Sequence, residues 1–568
     1  MTKWDHSYDL VIVGSGGGSM CAALKAKELG KSALIIEKLD KVGGSTGYSG
    51  GVWWVPNNPV MKRHGVEDSY ERAQQYLNST VTYDGPSTSP QRREAFLRTG
   101  PLMVEFLERK GMAFEYADGW ADYYDDRPGG EPRGRSLVAK LFDIRELGDW
   151  AGRLSRYRGM AMPANADEFP TLFLLKRTWA GKMKAMQLGW RMLMQKLRGQ
   201  QLLGGGAAIQ GRMLQIALRE GIPIWTESPV DELIIEEGRV VGVAIRHGDS
   251  VQRVQARDAV LINTGGFSRN AEMRQRHQPH PASAEWTNAN LGDTGEVIEA
   301  AMRLGAATDC MDEAWWVVTS LGPDETLPEG ARTSSGEPLP FMHHLDLSLP
   351  YSIMVDQDGQ RFCDEAGSYM EIGQRMYKRH AETGKAVPSW VVMDSRQRKF
   401  YPWGTAMPGQ IPQQWLDSGY MIKADSLQEL ALKCGINIAG LHATVERFNG
   451  FCAKGEDPDF GRGSRAFDRC HGDPTVQPNP NLGSIEKAPF YAVRMYPGDV
   501  GTAGGLVTDE YARVLREDGS PIAGLYATGN ATAGVTGRCY PGAGTSISAS
   551  FIFAYIAAMH SAGQDKIW

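Results

Sequence analysis

The stretch that decides the fold runs from Tyr8 to Lys38 and reads YDLVIVGSGGGSMCAALKAKELGKSALIIEK. An apolar strand up to Val13 leads into a glycine-rich turn, an amphipathic helix continues to about Leu29, and a second apolar strand ends at Glu37. Bare glycine backbone lets a pyrophosphate approach the N-terminus of such a helix, whose free N–H groups favour anions. The order of these elements predicts a dinucleotide site, although an ordinary βαβ unit with a glycine turn would share part of the pattern.

The residues around this turn refine the prediction. Glu37 follows the second strand, where an acidic side chain accepts hydrogen bonds from ribose hydroxyls. The strict fingerprint has Gly or Ala at position 19, where this chain has Ser19, and serine still permits fairly close packing of helix on strand. A Gly/Ser/Thr run, GGSTGYSGG, then spans residues 43–51 and offers many hydrogen-bond donors to a large polar cofactor.

Composition bounds the class of protein. The 568 residues suggest roughly two to four domains, and 42% hydrophobic with 23% charged residues is typical of a globular protein. A net charge of −6 argues against nucleic acid as a partner. Seven scattered cysteines form no metal-ligand pattern, so we expect reduced thiols, no metal and a cytoplasmic location. The N-terminus has no signal-peptide pattern, and no apolar run is long enough to span a membrane.

Two later segments repeat the pattern of an apolar strand followed by a glycine turn, VLINTGGFSRN at 260–270 and GLYATGNATAG at 524–534. Together with the N-terminal motif they resemble the FAD-binding domain of the fumarate reductase and 3-ketosteroid dehydrogenase flavoprotein superfamily. The resemblance implies an α/β fold in which a Rossmann-like FAD domain (about 1–149, 206–280 and 485–568) receives an inserted α+β substrate domain (281–484). An additional basic helical segment is expected at 150–205.

The same resemblance implies non-covalent FAD. The residues expected to contact it are Gly14, Ser15, Gly16, Gly17, Gly18, Glu37, Lys38, Gly44, Ser45, Thr46, Val230, Thr264, Gly265, Gly529, Asn530, Ser546 and Ile547.

The tail, which contains GRCYPGAGTSISASF at 537–551, is similar to that of the 3-ketosteroid Δ1-dehydrogenases. Those enzymes remove two hydrogens from adjacent carbons of the steroid A ring, beside the 3-keto group. Such chemistry requires donors for the developing enolate oxygen, a base for the proton and an acceptor for the hydride. By resemblance, the Tyr540 hydroxyl and the Gly544 N–H donate to the ketone oxygen, and glycine is needed there because a side chain would block the close approach.

The base is expected from a second segment, RFCDEAGSYMEIGQRMY at 361–377, in which Tyr369 occupies the position of the family's proton-abstracting tyrosine. A phenol with a pKa of about 10 can serve only if its neighbours favour the phenolate or relay its proton. The family uses another tyrosine for that purpose. Tyr123 matches it better than the adjacent Tyr124, because it follows Ala-Asp as the family's tyrosine follows Ser-Asp, but both assignments stay open.

Other aromatic and histidine residues give weaker signals. The tryptophan pairs at 53–54 and 315–316 could line a flat apolar pocket, although such pairs more often belong to the core. His343, His344 and His471 have no Ser or Asp partner in a recognisable hydrolase pattern, so we do not expect histidine catalysis.

Residues 169–219 contain no Asp or Glu and carry nine basic residues, Lys176, Arg177, Lys182, Lys184, Arg191, Lys196, Arg198, Arg212 and Arg219. Within this segment an apolar stripe recurs at helical spacing: Trp179, Met183, Met186, Trp190, Leu193 and Leu197. A basic amphipathic helix of this composition indicates association with a membrane surface. A core-facing helix with a solvated basic face, or a contact between two copies, would explain the same pattern.

No second dinucleotide fingerprint is found, so a quinone-like or other non-nicotinamide electron acceptor is expected.

Two alternatives to the Δ1-dehydrogenase function stay open. A Δ4-(5α)-ketosteroid dehydrogenase or a fumarate reductase-like enzyme would share the FAD domain. A membrane-docked flavin subunit for electron transfer would share both the FAD domain and the basic helix.

Overall fold

The computed structural model describes residues 3–156, 163–248, 250–323, 332–333 and 336–568, so parts of the expected segments 150–205 and 281–484 lie outside the description. The described strands are β1 (His6–Val13), β2 (Ala33–Ile36), β3 (Val52–Trp54), β4 (Phe114–Tyr116), β5 (Ser136–Ala139), β6 (Phe142–Asp143), β7 (Leu202–Leu203), β8 (Ile224–Trp225), β9 (Val230–Glu236), β10 (Arg239–His247), β11 (Ser250–Ile262), β12 (Thr308–Asp309), β13 (Ala314–Ser320), β14 (Phe341–His343), β15 (Ser352–Val355), β16 (Ser389–Met393), β17 (Met421–Ala424), β18 (Phe490–Thr502), β19 (Gly505–Leu506), β20 (Arg513–Leu515) and β21 (Pro521–Ala527).

The described α-helices follow the same chain order. They are α1 (Gly17–Glu28), α2 (Pro59–Arg63), α3 (Tyr70–Thr80), α4 (Pro90–Lys110), α5 (Phe169–Phe173), α6 (Trp179–Leu197), α7 (Gly205–Arg219), α8 (Ala271–His277), α9 (Glu296–Arg303), α10 (Tyr369–Thr383), α11 (Ser395–Phe400), α12 (Gln413–Asp417), α13 (Leu427–Cys434), α14 (Ile438–Lys454), α15 (Ala466–Cys470) and α16 (Thr545–Ser561).

The larger sheet has the order β20-β21-β11-β1-β2-β8, and β10 and β9 continue from β11. The strands β21, β11, β1, β2 and β8 are parallel, so their carboxyl ends meet at one edge. They come from three separate stretches of the chain, and the predicted α/β fold class is confirmed. In an open parallel sheet, ligands bind at this edge, because the glycine turns and helix N-termini follow the strand ends there.

A second, antiparallel sheet has the order β14-β13-β18-β16-β15, with β17 also paired to β18. The position of β18 differs from the boundary that we expected at residue 485. Its thirteen residues are hydrogen-bonded between β13 on one side and β16 and β17 on the other. The chain therefore returns to the parallel sheet only after residue 502, because β18 fills the centre of the antiparallel one.

The first and last helices are packed against each other. A Cβ built on Gly18 of α1 would lie 2.3 Å from the carbonyl oxygen of Ser550 in α16 and 2.6 Å from Cβ of Ala554. One on Gly17 would lie 2.7 Å from the ring of Phe551. Since α16 is buried over most of its length, the C-terminal residues cover the helix that begins at the N-terminal glycine turn.

Several local predictions agree with the structure. The sequence of residues 211–245 predicts a helix followed by three strands joined by short turns, and the structure has there the end of α7 and the strands β8, β9 and β10. The apolar stripe of the basic segment lies on α6, and the alternative in which this stripe faces a core is wrong. Trp179 is 74% exposed and Trp190 is 64% exposed, and the rest of the stripe is exposed as well.

Within the part of the chain that the structure describes, no helix combines the length and apolar character needed to cross a membrane.

The contact between α1 and α16 predicts the effect of one methyl group. Gly18→Ala should lower the free energy of unfolding by about 1 to 3 kcal/mol, because the added Cβ overpacks the interface with Ser550. Thermal unfolding followed by flavin fluorescence would measure the change. Gly450→Ala is the matched control, since Gly450 lies in α14 with no atom within 4 Å of the place that a Cβ would take, and alanine favours a helix. Equal stability of the two variants would contradict the prediction.

Candidate active site

A cavity of about 1190 Å³ lies at the carboxyl edge of the parallel sheet and continues to the antiparallel sheet. Its walls come from the glycine turn after β1, the end of β2, the start of α16 and the helices α5 and α6. Small-molecule sites usually measure about 300 to 1,000 Å³. This volume suits a large cofactor together with a second ligand.

The glycine turn brings the backbone close to the cavity. Gly14 has φ = +95°, and a Cβ there would lie 2.3 Å from the carbonyl oxygen of Asn263. Only glycine permits both the positive φ and this approach. The helix α1 begins at Gly17 with its N-terminus on the cavity wall, where its free N–H groups favour an anionic group such as a pyrophosphate.

Glu37 holds this turn to the second glycine run. Its Oε2 accepts hydrogen bonds from the N–H (3.0 Å) and the hydroxyl (2.5 Å) of Ser15, and its Oε1 accepts from the N–H of Leu39 (2.9 Å). The Ser15 hydroxyl in turn accepts from the N–H of Gly43 at 3.0 Å. Burial raises the pKa of Glu37. The expected contact between Glu37 and ribose hydroxyls stays a prediction. The hydrogen bonds described above show that the Glu37 carboxylate also positions the glycine turn.

Ser19, the departure from the strict fingerprint, has hydrogen bonds that glycine could not make. Its hydroxyl donates to the carbonyl oxygen of Gly14 at 2.8 Å and accepts from Nδ2 of Asn263 at 2.7 Å. The side chain therefore fastens the turn to the strand end at Asn263. The neighbouring Gly18 serves a different contact, the close packing of α1 on α16.

Nearly all of the expected cofactor residues line the cavity: Gly14, Ser15, Gly16, Gly17, Glu37, Lys38, Gly44, Ser45, Thr46, Val230, Thr264, Gly265, Gly529, Asn530, Ser546 and Ile547. Gly18 is the exception. Its N–H donates to the Ser550 hydroxyl at 3.1 Å, and its Cα faces α16. Gly18 therefore has a role in helix packing, and its expected contact with the cofactor stays a prediction.

Other polar groups on the wall fit a large polar cofactor. The hydroxyl of Thr264 and Nδ2 of Asn288 are buried without a hydrogen-bond partner among the described residues, and both residues line the cavity. Asp293 also lines it, accepts from the Ser45 hydroxyl at 3.0 Å and has a pKa raised to about 7 by burial. In the sequence, Asp293 is recognisable only as part of the turn before α9. The sequence pattern does not show that this turn contacts Ser45, which lies far away along the chain.

Three tyrosine rings meet at the other part of the cavity. The ring centroids are 5.6 Å apart for Tyr123 and Tyr369, 5.3 Å for Tyr369 and Tyr540, and 5.7 Å for Tyr123 and Tyr540. All three line the cavity, as does Gly544. The Tyr124 ring instead lies under the guanidinium groups of Arg127 and Arg465, at 5.3 Å from each. Of the two adjacent tyrosines, Tyr123 is therefore the one in the cluster.

The hydroxyl of Tyr540 accepts a hydrogen bond from the N–H of Gly544 at 3.1 Å and lies 3.2 Å from the hydroxyl of Ser546. The structure adds a second reason for glycine at 544. Gly544 has φ = +86°, and a Cβ there would lie 1.7 Å from the carbonyl oxygen of Val52. Strand β3 alone therefore already requires glycine, and the close approach of a ligand stays a prediction. Gly544 also directly precedes α16, so the positive end of that helix is next to Tyr540.

Burial sets the charge of the cluster. It raises the pKa of Tyr369 well above the usual value of a phenol, and the neighbouring rings of Tyr123 and Tyr540 add to the effect. Burial raises the pKa of Tyr123 in the same way. Both phenols are therefore neutral at physiological pH, and a phenolate would exist only transiently.

The histidines differ from expectation in one respect. His343 has both a Ser and an Asp partner: Nε2 lies 2.7 Å from the Ser320 hydroxyl and Nδ1 lies 2.6 Å from Oδ2 of Asp346. All three residues are buried and none belongs to the described cavity wall, so this is a satisfied core histidine. His344 does line the cavity, with its ring 5.7 Å from that of Tyr369, and burial lowers its pKa to about 4.

The tryptophan pairs belong to the core, and the idea that they line the pocket is wrong: all four side chains are buried, and the described cavity wall contains none of them. They support the site from behind. Trp54 donates to Oδ1 of Asp122 at 2.8 Å, and Trp315 donates to Oδ1 of Asn530 at 3.0 Å while its ring packs on Tyr540 at 5.1 Å.

The comparisons with known proteins agree with this site. Residues 9–547 match the family model described as FAD binding domain. The chain is 41% identical to the 3-oxosteroid 1-dehydrogenase of Mycobacterium tuberculosis (strain ATCC 25618 / H37Rv), over 98% of this chain and 99% of that one. It is 34% identical to the 4-oxocyclohexanecarboxylate 2-dehydrogenase of Sinomonas cyclohexanicum, over 98% and 93% of the two chains.

A solved structure is similar over the full length. It is the 3-ketosteroid delta1-dehydrogenase from Sterolibacterium denitrificans in complex with 1,4-androstadiene-3,17-dione, with a TM-score of 0.91, 36% identity and coverage of 99% of this chain and 100% of the other. The fold and the cavity thus define an FAD-dependent oxidoreductase. Within that class, the chain belongs to the 3-oxosteroid 1-dehydrogenase family.

Proposed function

We propose that the protein introduces a 1,2 double bond into the A ring of 3-ketosteroids. The observation that carries this proposal is the cluster of Tyr123, Tyr369 and Tyr540 beside Gly544, on the wall of the same cavity as the expected cofactor residues. Similarity to the M. tuberculosis and S. denitrificans proteins supports the substrate class. When bound, FAD supplies the acceptor for the hydride that leaves carbon 1.

Tyr540 and Gly544 would hold the ketone oxygen. The phenol oxygen and the amide nitrogen are 3.1 Å apart, so both donors can reach one oxygen atom. In the structure the single N–H of Gly544 donates to the phenol oxygen, so it would have to turn to the ketone oxygen when a substrate binds beside the phenol O–H. The positive end of α16 adds to this stabilisation of a developing enolate.

Tyr369 would take the proton from carbon 2. Because its phenol is neutral, its own proton must leave before or while it accepts the substrate's proton. Tyr123 is the neighbouring phenol, and we assign it the relay: its oxygen would accept the hydroxyl proton of Tyr369 while its own hydroxyl proton leaves through the cavity to solvent. Tyr540 and Tyr369 then act on two atoms that are both bonded to carbon 3, since enolisation needs a donor at the ketone oxygen and a base at carbon 2.

The rest of the cavity wall fits a large apolar substrate. Phe169, Leu172 and Phe173 of α5 and Leu188 and Met192 of α6 line it. A fused-ring steroid would bury apolar surface against these side chains, with a gain of about 25 cal/mol per Å². A small ring ketone would leave much of this wall uncovered, so steroids should be preferred over 4-oxocyclohexanecarboxylate, the compound named for the S. cyclohexanicum relative.

Product analysis tests the proposed function. The holoenzyme, given a 4-en-3-one steroid and an artificial electron acceptor, should form the 1,4-dien-3-one, with 4-oxocyclohexanecarboxylate as the comparison substrate. Steroids with short and long substituents at carbon 17 would show which size the cavity prefers. A 5α-steroid that yields only a 4-ene would support the Δ4-(5α) alternative, and fumarate reduction would support the reductase alternative. Steroid-independent flavin reduction by a membrane partner would support the electron-transfer subunit.

The buried phenol predicts a pH dependence. Because the pKa of Tyr369 is raised, physiological pH lies below it. As long as the pH stays below that pKa, the phenolate fraction of Tyr369 should increase tenfold for each unit by which the pH rises. We expect log kcat/KM to rise with a slope of about 1 from neutral to alkaline pH. Tyr369→Phe should lower kcat about 10² to 10⁴-fold and abolish the slope. Tyr540→Phe should lower kcat about 10² to 10³-fold but keep the slope. A flat wild-type profile would contradict the base assignment.

For the electron acceptor we propose a quinone-like compound. No second dinucleotide fingerprint offers a place for a nicotinamide. Reoxidation of the steroid-reduced holoenzyme by a short-chain quinone, followed by flavin absorbance, should be much faster than reoxidation by NAD or NADP.

We also propose that α6 binds a membrane surface. Its exposed apolar stripe would enter the interface, and Lys182, Lys196 and Arg198 are exposed and form no ion pair with the described residues. Lys184 and Arg191 are already paired with Glu168. The cavity wall contains Met192 of the same helix and Met407, which are 46% and 51% exposed. A poorly soluble steroid would thus meet the cavity near the membrane.

Point variants test this better than a deletion, because removing α5 and α6 would also remove part of the cavity wall. Trp179→Ala with Trp190→Ala should lower flotation with phosphatidylcholine/phosphatidylglycerol vesicles at least about tenfold, since a buried indole contributes on the order of 1.5 kcal/mol or more. Leu432→Ala with Val251→Ala, two residues equally exposed elsewhere, is the control. Unchanged flotation combined with a loss of dimers would show that the stripe joins two copies.

A further inference from the structure

Tyr76 of α3 is a buried tyrosine outside the cavity wall, and its hydroxyl connects the two segments that carry Tyr123 and Tyr540. The hydroxyl donates to the carbonyl oxygen of Pro541 at 2.7 Å and accepts from the N–H of Tyr124 at 3.2 Å. The same carbonyl accepts from the N–H of Tyr123 at 3.0 Å. The N–H groups of Tyr123 and Tyr124 are therefore both connected to the carbonyl oxygen of Pro541. The first is bonded to it directly, and the second is connected to it through the Tyr76 hydroxyl.

We propose that Tyr76 is a positioning residue that fixes the distance between Tyr123 and Tyr540 during the reaction. This inference rests on the proposed function, because it assigns Tyr76 a purpose through those two tyrosines. Pro541 directly follows Tyr540, so a shift of its carbonyl moves the phenol that would hold the ketone oxygen. Tyr123 directly precedes Tyr124, so a shift of the Tyr124 amide moves the relay phenol.

The surroundings of Tyr76 hold it rigidly. Its ring lies 6.0 Å from that of Trp54 and 5.4 Å from the guanidinium carbon of Arg135. Arg135 forms ion pairs with Asp68 and with Asp122, the residue before Tyr123, and Trp54 donates to Asp122 as well. A Cβ on Gly542 would lie 2.1 Å from the Trp54 ring, so Trp54 also supports the segment that follows Tyr540.

The hydroxyl of Tyr76 remains a donor at any pH at which the protein is folded, because burial raises its pKa well above the usual value of a phenol. Without this hydroxyl, Pro541 would keep the hydrogen bond from Tyr123, but the Tyr124 N–H would be buried and unpaired. The connection would therefore loosen without being lost. A shift of about 1 Å at a reacting group can cost about 10²-fold in rate.

Tyr76→Phe in the holoenzyme tests the proposal. We expect kcat for 4-en-3-one dehydrogenation to fall about 10 to 100-fold while KM and FAD content stay close to those of the wild type. Tyr116→Phe is the matched control. Tyr116 is also a buried tyrosine, its hydroxyl donates to the carbonyl oxygens of Arg133 and Gly134 at 2.9 Å each, and it does not belong to the described cavity wall. Equal kcat values of the two variants would overturn the proposal.

Two further measurements separate positioning from stability alone. In the Tyr123→Phe background, Tyr76→Phe should lower kcat by a smaller factor than it does in the wild type, because only the position of Tyr540 then still matters. Additive losses would overturn the proposal. Tyr76→4-aminophenylalanine keeps an N–H donor for Pro541 and should restore most of the rate. If Tyr76→Phe fails to fold, this variant still serves, because a loss of kcat of about 10 to 100-fold in Tyr76→4-aminophenylalanine would contradict the hydrogen-bond argument.

Crystal structures of the wild-type and Tyr76→Phe holoenzymes make the test independent of the substrate. The Tyr123 ring should move relative to Tyr540 by about 1 Å, the scale at which rates respond. Unchanged ring positions would overturn the inference even if steroids are turned over. If the wild type converts no 3-ketosteroid but the rings move, the proposed function fails and the positioning role stands.

Discussion

The contact between α1 and α16 is the constraint on which the rest of the structure depends. Gly17 and Gly18 let the first helix approach the last one so closely that added Cβ atoms would overlap Ser550 and Phe551. Both helices begin at the cavity, α1 at the glycine turn and α16 directly after Gly544. Two helix N-termini from opposite ends of the chain are thereby aimed at one cavity, where their positive ends favour anionic and developing negative groups.

This arrangement explains why the tail can take part in catalysis. The strand β3 fixes the start of α16, because the carbonyl oxygen of Val52 leaves no space for a side chain at Gly544. The amide of Gly544 is then held against the Tyr540 hydroxyl. The N-terminal part of the chain therefore supplies the cofactor turn and also shapes the group that would polarise the substrate.

The tyrosine cluster shows a balance between burial and reactivity. Its rings come from three distant segments and are enclosed by aromatic and apolar side chains, which raises the phenol pKa values of Tyr123 and Tyr369. Enclosure excludes water from a developing enolate and strengthens its hydrogen bonds. The same enclosure disfavours a permanent phenolate, so in the proposed reaction the removal of the proton from carbon 2 would be linked to proton transfer between the phenols.

The sequence by itself determined the local elements and the identity of most site residues. The glycine turn, α1, α7 with its three strands, and α6 are specified by short-range periodicity and by glycine positions, so they could be predicted. All of the expected cofactor residues except Gly18 line one cavity, because strand ends of a parallel sheet share one edge.

The tertiary structure decided what depends on distant contacts. It separated Tyr123 from Tyr124, packed Gly18 against α16, placed β18 in the antiparallel sheet and left the α6 stripe exposed. It also brought Asp293 to Ser45 and Tyr76 to Pro541. The sequence pattern indicates which side of a helix or strand is apolar. Which segment that side contacts depends on the packing of parts of the chain that lie hundreds of residues apart.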